Sequence, residues 1–176
     1  MISPKLNLYL LLVALGACLS IASCDLVKDN SESESFSYTI QQNKEITIDT
    51  TQRPSTDNTQ TLLKLSINTG DNLLFKYNRT VTPPSNITDA GLSESIFFEL
   101  PPNNEQFEYT DSELTQISTY YTRGCFCRII GALPLTDGYI KGDKIGGIIW
   151  KVEASLKTES EFETHEVTFD NVFIAE

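Results

Sequence analysis

What the chain lacks narrows it first. Only 13 of its 176 residues are Lys or Arg, against 24 Asp and Glu, and the net charge is −11. A surface of that sign repels phosphate backbones and anionic lipid, so nucleic acid and polybasic docking on a membrane are both excluded. Histidine occurs once, at His165. There is no G-x-S-x-G, no H-E-x-x-H, no Gly-rich phosphate loop and no D-x-D-x-D calcium loop. Of four cysteines, Cys18 and Cys24 fall in the first 24 residues, leaving only Cys125 and Cys127. Two cysteines are no disulfide framework, so burial has to hold the remainder together. Beyond residue 24 no stretch repeats with helical period.

The first 24 residues carry the strongest local signal. Lys5 is their one charged side chain, and Leu8 to Leu15 is an unbroken apolar run of eight, followed by small residues. That layout is a secretory signal peptide. A spanning helix needs roughly 20 apolar residues, which the segment reaches only marginally if counted on to Ala22. Ile21-Ala22-Ser23-Cys24 closes it. This resembles the bacterial lipobox: an aliphatic residue at −3, small residues at −2 and −1, then the cysteine that takes the lipid. The resemblance implies cleavage before Cys24, diacylglycerol on its sulfur and stable anchoring by two or more acyl chains. Leu15-Gly16-Ala17-Cys18 fits the same pattern. Cleavage there would leave apolar Leu19 to Ala22 in the tether. Cys24 is preferred because polarity switches directly after it.

Three segments follow: a signal peptide over 1–23, a lipidated cysteine with a disordered acidic tether over 24–35, and one β-rich domain over 36–176. Loss of residues 1–23 removes Lys5 and leaves 153 residues, with twelve bases against 24 acids and a net charge of −12. That length supports one domain with its own core. The acidic surface keeps an anchored domain soluble and off the bilayer; calcium or a basic partner would use the same charge. Asp25, Asp29, Glu32 and Glu34 punctuate a serine-rich stretch that cannot bury enough apolar area to order itself. An acidic stretch at this place also resembles the surface-export signal of Bacteroidetes lipoproteins. The implied location is the bacterial cell envelope, lipid-anchored to the outer membrane, with the domain facing the periplasm or the cell surface.

From residue 36 the period is two. Phe36, Tyr38 and Ile40 alternate with polar residues up to a turn at Gln42-Asn43, and Glu45–Thr50 alternates again. Leu63, Leu65 and Ile67 lead into Asn68-Thr69-Gly70-Asp71, and Leu73, Phe75 and Tyr77 follow, which predicts a hairpin. Ile96, Phe98 and Leu100 form a strand that Pro101-Pro102 stops. A small strand is expected at Phe107 and Tyr109, and a longer one from Leu114 to Ile130 with a bulge at Gly124. Ile148, Trp150, Val152, Ala154 and Leu156 share one face of the clearest strand. The last strand, Phe162–Ile174, turns Val167, Phe169 and Phe173 to one side. About ten such signals with short turns predict an all-β fold: an antiparallel β-sandwich or a lipocalin-like barrel. Gly138 to Gly142 with Ile149 to Leu156 is similar to the closing strands of small β-rich lipoproteins.

Candidate chemistry is thin. Cys125 and Cys127, at i and i+2 on a strand, face the same way and are expected as buried thiols; a strained C-x-C disulfide or a zinc site with His165 are the alternatives. A lone strand histidine is expected at a surface or edge. Glu99, Glu108 and Glu153 are the carboxylates a glycosidase would draw on, although 24 acids supply such sets by chance. Tyr120, Tyr121, Tyr139 and Trp150 would make an aromatic platform for sugars or peptides, but Trp150 reads as core; Tyr120 and Tyr121 point opposite ways on a strand, so one of them should be exposed. Asp49-Thr50-Thr51 resembles the short O-glycosylation signal of Bacteroidetes secreted proteins, with threonine where that signal has an aliphatic residue. Asn78-Arg79-Thr80 and Asn86-Ile87-Thr88 are sequons of eukaryotic form. No residue is assigned to catalysis, to a cofactor or to a metal, and Cys24 alone is assigned a role, as the lipid attachment point. The expected function is a membrane-anchored, non-catalytic binding or surface-structural module with a carbohydrate, peptide or protein ligand. A lipocalin-like carrier of a small apolar ligand, its cavity lined by Ile148, Trp150 and Phe169, and a hydrolase on a β scaffold are the alternatives.

Overall fold

Two strands dominate the molecule. β1 (Ser33–Pro54) and β2 (Thr59–Thr82) pair antiparallel along their whole length, from Ser33↔Thr82 to Pro54↔Thr59. The computed structural model describes residues 31–54, 59–84, 91–125, 131–160 and 163–176. The signal region with Cys18 and Cys24, Cys127 and the Asn86 sequon lie outside the described residues. Residues 31–176 make one compact unit. Its first strand begins at Ser33, three residues before the boundary read from composition, because Glu34 is tied to Arg79 across the ladder.

Neither expected turn in β1 or β2 is a turn. Gln42–Glu45 of β1 lies opposite Asn68–Leu73 of β2, and the register shifts there in both strands. The two turn signals are one shared β-bulge, seen from its two sides. Asn43 takes up the left-handed backbone (φ 55). A Cβ on Gly70 would lie 2.5 Å from Glu45 Cβ, so the bulge closes only on a glycine. The expected hairpin over Leu63–Tyr77 is therefore a single bent strand.

β3 (Leu92–Leu100), β4 (Gln106–Thr110), β5 (Tyr120–Cys125), β6 (Ala132–Pro134), β7 (Asp137–Gly146), β8 (Ile149–Glu159) and β9 (Thr164–Ala175) complete one nine-stranded sheet. Its order is β4-β7-β8-β9-β1-β2-β3-β5-β6. The all-β expectation holds, but the sheet is mixed and does not close into a barrel. β1 and β9 are parallel and share only two register pairs, Thr39↔Ile174 and Ile40↔Ala175. All other neighbours are antiparallel. Gly124 sits in unbroken register with Ser93, so no bulge forms there. The ladder shifts instead between Lys144 and Gly146.

Long twisted strands curl the sheet, so that its two halves face each other across the core. The inward phase of β8 is the one its alternation predicts: Trp150, Val152, Ala154 and Leu156 are buried. Phe75 of β2 stacks on Phe98 at 4.6 Å and meets Trp150 edge-on at 5.6 Å. Tyr77 stacks on Phe169 at 5.0 Å. Phe75 and Phe98 are register partners on neighbouring strands, whereas the contacts with Trp150 and Phe169 join strands that are not neighbours in the ladder.

One element escapes the β pattern. Asp111–Ile117 is a short 3-10 helix, and its Leu114–Ile117 part replaces the start of the strand expected from Leu114. Glu113 accepts the Thr110 N–H at 3.1 Å, and Ser118 ends the helix in the left-handed region (φ 49). Two turns are too short to display a helical period. The Thr110-x-x-Glu113 box was its one legible mark.

Candidate functional site

The bulge decides where an apolar cleft lies. Beyond it, the distal half of the β1–β2 ribbon lies over the outer face of β3, β5 and β6. Leu63 rests against Gly131, where an added Cβ would stand 2.9 Å from the Leu63 carbonyl oxygen. Glu99 of β3 pins the bend. Its carboxylate, almost fully buried, accepts the Ile46 N–H at 3.2 Å and the Asn72 side-chain amide at 3.1 Å. Under the ribbon runs a cleft of about 570 Å³ walled by Leu63, Leu65 and Ile67 on one side and by Phe97, Thr122 and Ala132 on the other. Among the described residues no carboxylate lines it, in a chain with 24 of them.

The second feature is polar and sits where the facing halves of the sheet meet. Tyr121 of β5 and His165 of β9 stack at 4.7 Å between ring centres. The Tyr121 hydroxyl donates to Glu94 Oε1 at 2.6 Å and lies 3.3 Å from His165 Nδ1. Glu94 receives Arg79 at 2.7 Å, and Arg79 also pairs with Glu34. Arg123 pairs with Glu163, the residue two before His165. The Thr158 hydroxyl donates to the Pro134 carbonyl at 3.1 Å and ties β8 to β6 beside it. Burial raises the Tyr121 phenol well above its ordinary value, and the hydrogen bond to Glu94 adds to this. Tyr77, just inside the same layer, is pushed up to about 12, chiefly by burial and then by Tyr38. Side chains join the halves here, where no ladder does.

Compared with protein families, with curated proteins and with solved structures, the chain finds no match.

The sequence-derived candidates are scattered. Cys24, the expected lipid site, is outside the described residues. Cys125 is disulfide-bonded, not a buried thiol. All other cysteines lie outside the described residues, so its partner does too. His165 is neither at the surface nor at an edge; it is 7% exposed in the seam just described. Glu99 is spent on the bulge. Glu108 and Glu153 flank Lys141 in register across β4, β7 and β8, and Glu153 is held by Tyr139 at 2.6 Å and Lys141 at 3.1 Å. Those two bonds lower its carboxyl below the usual range. No partner of Glu99 is shared with Glu108 or Glu153.

The aromatic four do not assemble into a platform. Trp150 and Tyr121 are fully buried, as read for Trp150, while Tyr120 and Tyr139 stay half-exposed. Asp49 and Thr50 are exposed on the ribbon. The Asn78 amide is engaged, donating to Thr80 at 3.0 Å and accepting from Ser95 at 2.8 Å. Among the described residues no three His, Cys, Asp or Glu side chains converge as a metal site. No helix among them is long and apolar enough to cross a membrane.

The Glu34-Arg79-Glu94-Tyr121-His165 chain was missed from sequence. Its signal was phase: Arg79 follows Tyr77 by two and Glu94 precedes Ile96 by two, so both charges occupy inward positions of their strands. A charge in the apolar phase marks a polar layer or a closing edge.

Proposed function

We propose that the chain is a lipid-anchored, non-catalytic binding module of the bacterial cell envelope. Cys24 carries the lipid, the outer membrane holds it, and the domain faces the periplasm or the cell surface. The cleft beneath the ribbon carries the binding half of this reading. At about 570 Å³ it falls within the range of ligand sites, and its walls are chiefly apolar, with Lys64 and Arg123 as the charged residues among those described. Five of its lining residues, Leu62 to Leu65 and Ile67, come from one strand, so it is elongated. An extended, apolar segment of a peptide or protein suits that shape. A sugar has less to rest on, because among the described residues Phe97 is its one aromatic and is 8% exposed. A carrier holding its ligand inside the sheet has less support, since Phe75, Phe98, Trp150 and Phe173 fill that space. A hydrolase has less still, with His165 shut inside a seam.

Two measurements test the two halves. Intact mass of the membrane fraction is taken for the wild type, Cys24→Ala and Cys18→Ala. Cys24→Ala alone should lose the diacylglycerol and leave the membrane. Loss through Cys18→Ala would move the anchor, and no loss through either would end the lipoprotein reading. For the cleft, Leu65→Glu should weaken uptake of an apolar fluorescent probe about tenfold or more, because an unpaired carboxylate is costly to desolvate. Equal uptake by both proteins would take the ligand site out of the cleft.

A further inference from the structure

The seam between β5 and β9 holds a proton-sensitive group whose state its surroundings dictate. Tyr121 uses its hydroxyl hydrogen on Glu94 Oε1, 2.6 Å away. Its oxygen can then only accept, so the imidazole nitrogen 3.3 Å from it, Nδ1, carries the hydrogen. A neutral imidazole has one N–H, which leaves Nε2 with a lone pair. That nitrogen is buried and without a partner among the described residues, and the nearest Glu163 carboxylate oxygen is 4.0 Å away. Glu163 itself is engaged by Arg123.

We propose that this seam is an acid-operated latch, closed while His165 is neutral and opened when Nε2 takes a proton from solvent. Every element packed around the ring contributes to the choice. Arg123 of β5 and Arg79 of β2 are cations, and a charged ring would add a third positive charge to the cluster. Glu94 of β3, Glu163 of β9 and Glu34 of β1 are anions, but each already holds an arginine. Thr158 of β8, the register partner of His165, donates its hydroxyl to the Pro134 carbonyl and makes no hydrogen bond with Nε2. The imidazolium could gain Glu163 only by drawing it from Arg123, which is itself a bridge between the halves. It would also have to be solvated, and its side chain is 5% exposed. Protonation therefore trades a closed seam for an exposed ring. Burial is the leading influence on the ring and lowers its proton affinity, Arg123 acts the same way, and Glu163 opposes them.

The direction follows by linkage. The unfolded chain protonates near the ordinary 6.5, while the folded seam resists the proton to lower pH. The latch is fully closed above about 6.5, weakens as the pH falls from there towards the folded value, and levels off below it. Across that window the unfolding equilibrium constant rises by up to about tenfold per pH unit, the limit for one proton.

His165 is the chain's one histidine, so its ring protons are unambiguous in an NMR titration of the full chain in detergent micelles. The expected midpoint lies below 6.5. In parallel, amide exchange at Tyr120–Arg123 and Thr164–Val167 is compared with His165→Phe, which keeps the stack on Tyr121 and cannot titrate. The wild-type to variant exchange ratio should climb as pH drops from 7.5 to 5, while amides of β7 and β8 keep a constant ratio. A midpoint at or above 6.5, or a flat ratio at the seam, would overturn the latch. If His165→Phe fails to fold, the wild-type titration still decides.

Discussion

Phe75→Ala should cost the domain about 3–5 kcal/mol, the range for emptying a buried aromatic site. Phe75 is fully buried and is where four strands other than its own meet. It stacks on Phe98 of β3, faces Phe107 of β4 at 6.3 Å, Trp150 of β8 at 5.6 Å and Phe173 of β9 at 5.8 Å. The two sheet halves touch through it, so its loss leaves a void that neither half can fill without sliding over the other. Against a typical total stability of about 5–15 kcal/mol this is a large fraction. Phe36 is the control. It is on the same ribbon but 51% exposed, and Phe36→Ala should cost less than about 1 kcal/mol. Chemical denaturation of both variants gives the comparison; similar midpoints would mean that the core does not turn on Phe75.

The second large effect is expected at Gly131. Its φ is +73, a conformation that costs a β-branched residue about 1–3 kcal/mol. A Cβ there also meets the Leu63 backbone, 2.9 Å from its oxygen and 3.2 Å from its nitrogen. Gly131→Val should lower stability by at least that strain and lift the ribbon from the sheet. Amide exchange over Leu62–Ile67 reads the lifting directly, and it should quicken while β8 is unchanged. Uniform loss of protection, or none, would show that the ribbon is not held at this point.

Strand phase was legible in the residues, because a one-residue slip would turn an entire apolar set outward. Trp150, Val152, Ala154 and Leu156 faced inward as their alternation required, and Phe169 and Phe173 did likewise. Strand partnership was not legible. Nothing in Thr39-Ile40 announces a parallel neighbour at Ile174-Ala175. The ribbon misled for a definite reason: polar residues and glycine mark a break in the ladder, and a bulge and a turn draw on the same residue types. Only the pairing of β1 with β2 reveals that Gln42–Glu45 and Asn68–Leu73 are one break. The cleft follows from that bend and was hidden with it. Cys125 was judged by its apolar setting, and its sulfur bond is a matter of chemistry that alternation does not carry. His165 was read from its own strand, whereas its burial comes from Tyr121 on another.

The two-pair seam between the first and last strands has a kinetic consequence. β1 with β2, and β7 with β8 and β9, are each built from neighbours in sequence and can form early. Joining them brings together residues such as Gln41 and Glu176, 135 positions apart, and the backbone ladder of this closure gains only two register pairs, beside two hydrogen bonds of Glu176 to Gln41 and Ile40. Loop-closure entropy must be met before that small return arrives. Such wiring places the chain among slow folders, on the millisecond-to-second scale of β proteins rich in distant contacts. Until the last strand docks, the open flank of β1 is a free edge, so a newly made copy is most vulnerable to association with its neighbours in that interval.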